Sequence, residues 1–89
     1  MRTPVHTGQF RRDISRAQKR AKDMSKLRDV LSLLIAAEPL PPRLKDHPLT
    51  GDWRGWRDLH IEPDCLLLYK IDGNDLILAR TGSHAELFR

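Results

Sequence analysis

Pro39, Pro41 and Pro42 place three proline rings within four positions near the middle of the chain. Each ring fixes φ and removes a backbone donor, so neither a helix nor an inner strand runs through such a segment. The stretch Glu38-Pro39-Leu40-Pro41-Pro42 therefore splits the chain into halves of different local structure. Before it, Phe10, Ile14, Ala17 and Ala21 recur at i, i+4, i+7 and i+11. At about 100° per residue they line one helical stripe. Thr7 is placed to cap this helix. A second helix is expected from about Ser25, a further cap candidate, with Leu27, Val30, Leu31, Leu34 and Ile35 on its apolar face. The turn between the two falls near Asp23-Met24, and Thr3 to His6 reads as a short strand ahead of them.

After the prolines the period becomes two. From Trp56 to Glu62, Leu59 and Ile61 point one way while Asp58, His60 and Glu62 point the other. Pro63-Asp64 is a turn, and Cys65 to Ile71 is an almost continuous apolar run of strand length. Asp72-Gly73-Asn74 is a hairpin signal, because Gly and Asn accept positive φ. Leu76 to Arg80 is the next strand, and His84 to Phe88 a last helical turn. The expected fold is α+β: an N-terminal helical hairpin on one face of a mostly antiparallel sheet of four to five strands. The other sheet face is expected to be polar and open.

Neither half is large enough to fold alone, so residues 1–89 are read as one domain. Interspersed charge, at 31% of residues beside 39% hydrophobic, argues against whole-chain disorder. No apolar run approaches the roughly 20 residues a membrane helix needs, and no signal peptide is visible. The single cysteine, Cys65, excludes an intrachain disulfide and a cysteine zinc site. The expected compartment is the cytoplasm. Charge is unevenly spread. Residues 1–45 carry a balance of +7 and residues 46–89 one of −3. A basic first half suits a polyanionic partner, most commonly nucleic acid.

The residues able to move protons lie mainly in the second half. His47, His60 and His84 stand there among Asp46, Asp58, Glu62 and Asp64, whereas His6 falls in the first strand and reads as structural. Histidine takes and gives protons near neutral pH. Three histidines are also a zinc ligand set, but no short His-x-His or His-x-x-x-His pair is present. A nucleophile elbow and a glycine-rich phosphate loop are both missing. The set suits metal-free RNA cleavage. That reaction needs a base for the ribose 2′-OH, an acid for the leaving 5′-oxygen and a donor for the crowded phosphate. Arg80, four positions before His84, is the candidate for the last task. Trp53 and Trp56, beside Arg54 and Arg57, offer rings on which single-stranded bases stack.

Four segments taken together resemble a known family. They are Asp46-His47-Pro48-Leu49-Thr50-Gly51-Asp52-Trp53, Asp58-Leu59-His60-Ile61-Glu62-Pro63-Asp64, Leu68-Tyr69-Lys70-Ile71, and Arg80-Thr81-Gly82-Ser83-His84-Ala85-Glu86-Leu87-Phe88. The likeness is to the YafQ family of bacterial toxins, within the RelE/ParE superfamily of toxin–antitoxin systems. It implies a RelE-like microbial ribonuclease fold. It also implies an endoribonuclease without cofactor or metal that cuts message in the A site of the 70S ribosome and so inhibits translation. The family's functional set, carried across by motif, is His47, His60, Asp64, His84 and Phe88; Arg80 and Trp53 stand beside it as the substrate contacts expected from their own chemistry. The implied partner is a small DinJ- or RelB-like antitoxin with a ribbon–helix–helix part. Its tail wraps the toxin, and operator DNA is reached only through it. Cys65 departs from the family pattern, in which an aromatic is common. Two other classes compete: a ParE-like gyrase poison, which leaves the histidines idle, and a non-enzymatic nucleic-acid-binding module built on the two helices.

Overall fold

Thr7 starts the first helix and ties it to the sheet. Its Oγ1 accepts the Phe10 N–H at 3.2 Å and donates to the Leu78 carbonyl at 2.9 Å. The computed structural model describes residues 1–88. It contains β1 (Thr3–His6), α1 (Gly8–Lys19), α2 (Ser25–Ile35), β2 (His47–Pro48), β3 (Arg57–Glu62), β4 (Cys65–Asp72), β5 (Asp75–Gly82) and α3 (His84–Leu87). Two short 3-10 turns, Pro42–Leu44 and Gly51–Trp53, flank β2. The five strands lie in the order β1-β5-β4-β3-β2. Only β1 runs parallel to its neighbour. This is the expected α+β arrangement.

Both helices end in left-handed residues. Ala21 (φ 55°) and Ala37 (φ 58°) follow α1 and α2. The next residue in each case, Lys22 or Glu38, donates back to the carbonyl of Ala17 or Leu33. This closes the last turn in the Schellman manner. Ala21 therefore lies beyond the helix and outside the stripe the sequence predicts. Ser25 does not act as a side-chain cap either; it is the first helical residue, and its N–H donates to the Asp23 carboxylate at 2.9 Å.

The main core lies between the helices and the sheet. Phe10, Leu27, Val30 and Leu34 pack there on Leu59, Leu67, Tyr69, Leu76 and Leu78, with Leu44 at the end. Each buried leucine is worth roughly 1.5–3 kcal/mol. The opposite sheet face is not polar and open, as expected, but carries a second core. Leu66, Leu68, Ala79 and Leu87 form it, covered by Leu49, Trp53, Trp56 and Phe88. Alternation along β4 explains both layers. Leu67 and Tyr69 face the helices, while Leu66 and Leu68 face the other way, and all four are buried.

A left-handed alanine costs about 1 kcal/mol relative to glycine. Ala37→Gly should therefore raise the free energy of unfolding in urea by about that amount without changing the m-value.

Candidate active site on the second sheet face

Strand register gathers the histidines. His47 of β2 pairs with Asp58 of β3, Asp58 pairs with Leu68, and His60 pairs with Leu66. Cross-strand partners share a face. Asp58 and His60 therefore stand on the side of Leu66 and Leu68, away from α1 and α2. β5 ends at Gly82, opposite Leu66, and α3 begins two residues later with His84.

At the centre is Asp58, only 5% exposed. Its Oδ2 lies 3.6 Å from His47 Nε2. Its Oδ1 is buried with no hydrogen-bond partner among the described residues. Burial raises the pKa of this carboxyl above the ordinary value; His47, His60 and His84, in that order, pull it back by their positive charge. Of the three imidazoles, His47 is the one within ion-pair range of this carboxylate. Sequence reading places Asp58 on an open face and does not count it as a site residue. The overlooked signal is its register opposite the apolar β4 run.

Each imidazole has a distinct setting. His47 Nδ1 lies 2.7 Å from the Lys45 carbonyl, an acceptor, so Nδ1 carries the proton and Nε2 faces Asp58. The His47 and His60 rings are 6.4 Å apart and tilted by 36°. His60 and His84 have no protein hydrogen-bond partner among the described residues. His84 is exposed, its ring 4.9 Å from that of Phe88.

The turn bearing His84 and Phe88 is held at several points. Leu87 is buried in the second core. Ser83 caps α3, its Oγ accepting the Glu86 N–H at 3.2 Å, while Glu86 Oε1 accepts the Ser83 N–H at 3.0 Å. Glu86 Oε2 takes Arg16 of α1 and Arg20 at its C-cap, each at 3.2 Å. The Ser83 backbone hydrogen bond comes first, helped by the arginines, in lowering the Glu86 pKa to about 2. Gly82 leaves room for this clamp: a Cβ there would stand 3.3 Å from Glu86 Oε1.

Other sequence candidates sit further out. Arg80 does not face the imidazoles freely. Its Nε and a terminal nitrogen bind Asp13 at 2.8 and 3.1 Å. Asp13 also accepts the Thr81 N–H at 3.1 Å. β1 pairs with β5 only as far as Leu78, so a buried carboxylate from α1 serves the strand edge beyond it. Asp64 is exposed at the tip of the β3–β4 turn, with no hydrogen bond or ion pair to an imidazole among the described residues. Trp53 is half-buried, 6.0 Å edge-on to Trp56, over which Lys70 Nζ sits at 5.2 Å. A groove of about 440 Å³ runs beside His60 and Pro63, with Lys26, Arg43 and Lys45 along it. Among the described residues no group of three His, Cys, Asp or Glu side chains is placed to hold a metal ion. No helix among them is long and apolar enough to cross a membrane.

Known proteins share this architecture. The crystal structure of YafQ from Escherichia coli strain BL21(DE3) superposes with a TM-score of 0.94 at 48% identity, covering 100% of both chains. The toxin in the E. coli DinJ-YafQ toxin-antitoxin complex superposes at 0.90 with 49% identity, covering 99% of this chain and 98% of that one. The fold is thus that of a class of small bacterial toxins. Residues 2–89 match the family described as "Bacterial toxin of type II toxin-antitoxin system, YafQ". The chain is 51% identical over 84 residues to a protein named mRNA interferase toxin YafQ from E. coli K12, covering 93% of this chain and 91% of that protein. The chain belongs to the YafQ toxin family.

Two outcomes follow from the electrostatics. The Glu86 pKa is lowered from 4.5 to about 2, so its contribution is complete above 4.5 and lost as pH falls toward 2. Glu86→Gln should flatten that part of the acid-unfolding curve, leaving the smaller loss from Asp23, whose pKa is also lowered. The Asp58 pKa is raised, so its charge opposes folding once pH exceeds the ordinary carboxyl value. Asp58→Asn should raise stability at pH 7 by about 1 kcal/mol in urea titration.

Proposed function

We propose that residues 1–89 form a single toxin domain of a type II toxin–antitoxin system. It cuts messenger RNA in the ribosomal A site and thereby halts translation. The observation that carries this reading is the grouping of the His47 and His60 rings, 6.4 Å apart, beside the buried Asp58, on the sheet face where the β5–α3 junction brings His84. Cleavage proceeds by attack of the ribose 2′-oxygen on the adjacent phosphorus. The new P–O2′ bond forms as the P–O5′ bond breaks, leaving a 2′,3′-cyclic phosphate and a 5′-hydroxyl. No cofactor enters the atom balance.

The settings of the imidazoles suggest their roles. His60 and His84 keep nitrogens unengaged by protein and are suited to proton transfer. We assign His60 as base for the 2′-OH and His84 as acid for the 5′-oxygen. His47 keeps its Nδ1–H on the Lys45 carbonyl and turns Nε2 toward Asp58; when Nε2 takes a proton, that N–H is the donor to the phosphate. Asp58 supplies a negative field beside the rings. Asp64 stands at the exposed turn, where its charge adds to that field. Arg80, bound to Asp13, supports the strand end before His84 instead of gripping the phosphate directly. Phe88, beside His84, and Trp53 offer faces to the flanking bases.

Partners follow from charge and kinship. Lys26, Arg43 and Lys45 beside His60 make a track for the message backbone. The basic first half offers further cations to ribosomal RNA or to an acidic antitoxin. The relative solved with DinJ supports a DinJ-like antitoxin; we take it to carry a ribbon–helix–helix part through which the toxin reaches operator DNA. Encounters with ribosome and message of this kind belong to the cytoplasm.

The test is inducible expression followed by mapping of message 5′ ends. Wild type should create new 5′ ends within translated message. His84→Ala should remove them while leaving folding and antitoxin binding intact. In a reconstituted ribosome assay the rate should be bell-shaped in pH; a flat profile from about pH 5 to 9 would argue against histidine proton transfer. New 5′ ends undiminished in His84→Ala would overturn the assignment of the acid.

A further inference from the structure

His47 is half-exposed on a strand of only two residues, yet its Nδ1 meets the Lys45 carbonyl at 2.7 Å and its Nε2 faces Asp58 at 3.6 Å. The hold begins on the opposite side of the strand. Asp46 directly precedes β2, and its contacts with Arg57 and Tyr69 put its carboxylate on the helix side of the sheet. The Asp46 carboxylate takes three donors there. Arg57 contacts it through Nε at 3.2 Å and a terminal nitrogen at 2.9 Å, both on Oδ2. The Tyr69 hydroxyl donates to Oδ1 at 2.5 Å. Tyr69 is 3% exposed and packed in the helix-side core. Arg57 and Tyr69 face each other across β3 and β4. One carboxylate thus fastens the edge strand to the two strands behind it.

A second observation points to the same device. Lys45, just before Asp46, is left-handed at φ 51° and ψ 42°. That conformation is costly for a residue with a Cβ. It carries the chain from the Pro42–Leu44 turn into β2, and its carbonyl is the group that meets His47 Nδ1 at 2.7 Å. The Lys45 N–H is fixed by the Pro42 carbonyl at 3.0 Å, and on the other side of Lys45 the anchor on Asp46 is the side-chain hold that keeps its carbonyl aimed at the ring. Relaxation would swing the carbonyl off Nδ1 and free the ring to exchange tautomers.

We propose that Asp46, Arg57 and Tyr69 are positioning residues that fix the tautomer and aim of the His47 imidazole from the far side of the β2 edge. None touches the reacting atoms. The inference takes its catalytic consequence from the function proposed above, but its structural content does not need that reading. Burial, followed by the bond to Asp46, raises the hydroxyl pKa of Tyr69, so it remains a donor throughout the working pH range.

The experiment uses the full chain and two readouts. ¹⁵N NMR of the histidine rings reports the tautomer of His47, and single-turnover cleavage of ribosome-programmed message reports kcat and KM. Tyr69→Phe removes one hydroxyl and keeps the packing; Asp46→Asn removes the charge that holds Arg57. In wild type, His47 should show one dominant tautomer with Nδ1 protonated. In both variants its two ring nitrogens should move toward averaged shifts, with kcat lowered about tenfold or more and KM within roughly twofold. His60 and His84 should keep their wild-type shifts. Unchanged His47 shifts in both variants overturn the inference, whatever happens to the rate. Altered shifts with an unchanged kcat overturn its catalytic part. If wild type and His47→Gln cleave equally, the role proposed for His47 fails, and the NMR result still decides whether the clamp sets its tautomer.

Discussion

β4 is buried on both faces, and the position of everything else follows from that. Its odd-numbered Leu67 and Tyr69 serve the helix-side core, and its even-numbered Leu66 and Leu68 serve a second one. A strand of this kind must be covered twice. The helical hairpin covers one side. The Leu49–Trp56 loop and α3 cover the other, and they bring His47 and His84 to its two borders. The polar centre lies between these covers, on the even-numbered residues of β3. Hydrophobic cover and candidate site are therefore one layer, built by the same register.

Asp58 sits uneasily in that layer. One of its oxygens has no partner among the described residues, and burial opposes its charge. A buried acceptor of this sort costs on the order of 1–3 kcal/mol. An asparagine would fold more easily there, but it would bring no negative charge to the imidazoles. The same bargain is visible in the left-handed Lys45. Two networks hold the site's borders. Glu86 ties α3 to Arg16 and Arg20, and Asp46 ties β2 to Arg57 and Tyr69. Each fixes a short element with little stability of its own: a four-residue helix and a two-residue strand.

Much of this was legible in the residues. The proline break, the Thr7 cap, the Asp72-Gly73-Asn74 turn and the change of period predict the elements and the helix-on-sheet layering. The YafQ-like segments predict the family. The second core was less visible because alternation in β3 suggested a wet face. The apolar run Cys65–Tyr69 carried the correction, since an unbroken run signals burial on both sides. Candidate site residues were legible where chemistry marks them, as with the three histidines. Asp58 was hidden because its importance comes from a cross-strand neighbour, Leu68, not from its own surroundings in sequence. The partner of Arg80 was hidden for the same reason: Asp13 lies 67 positions away, on a helix face that periodicity alone assigns to solvent. Pairings across such distances depend on packing, which no local pattern encodes.

The central claim is that the imidazoles around Asp58 serve a 2′-hydroxyl attack. A programmed ribosome carrying message with a single 2′-deoxy nucleotide on the 5′ side of the scissile phosphate tests it most directly. The account predicts no cut at that linkage, with the all-ribose message cut there to a 2′,3′-cyclic phosphate. Cleavage of the deoxy-substituted linkage at the normal rate would contradict it.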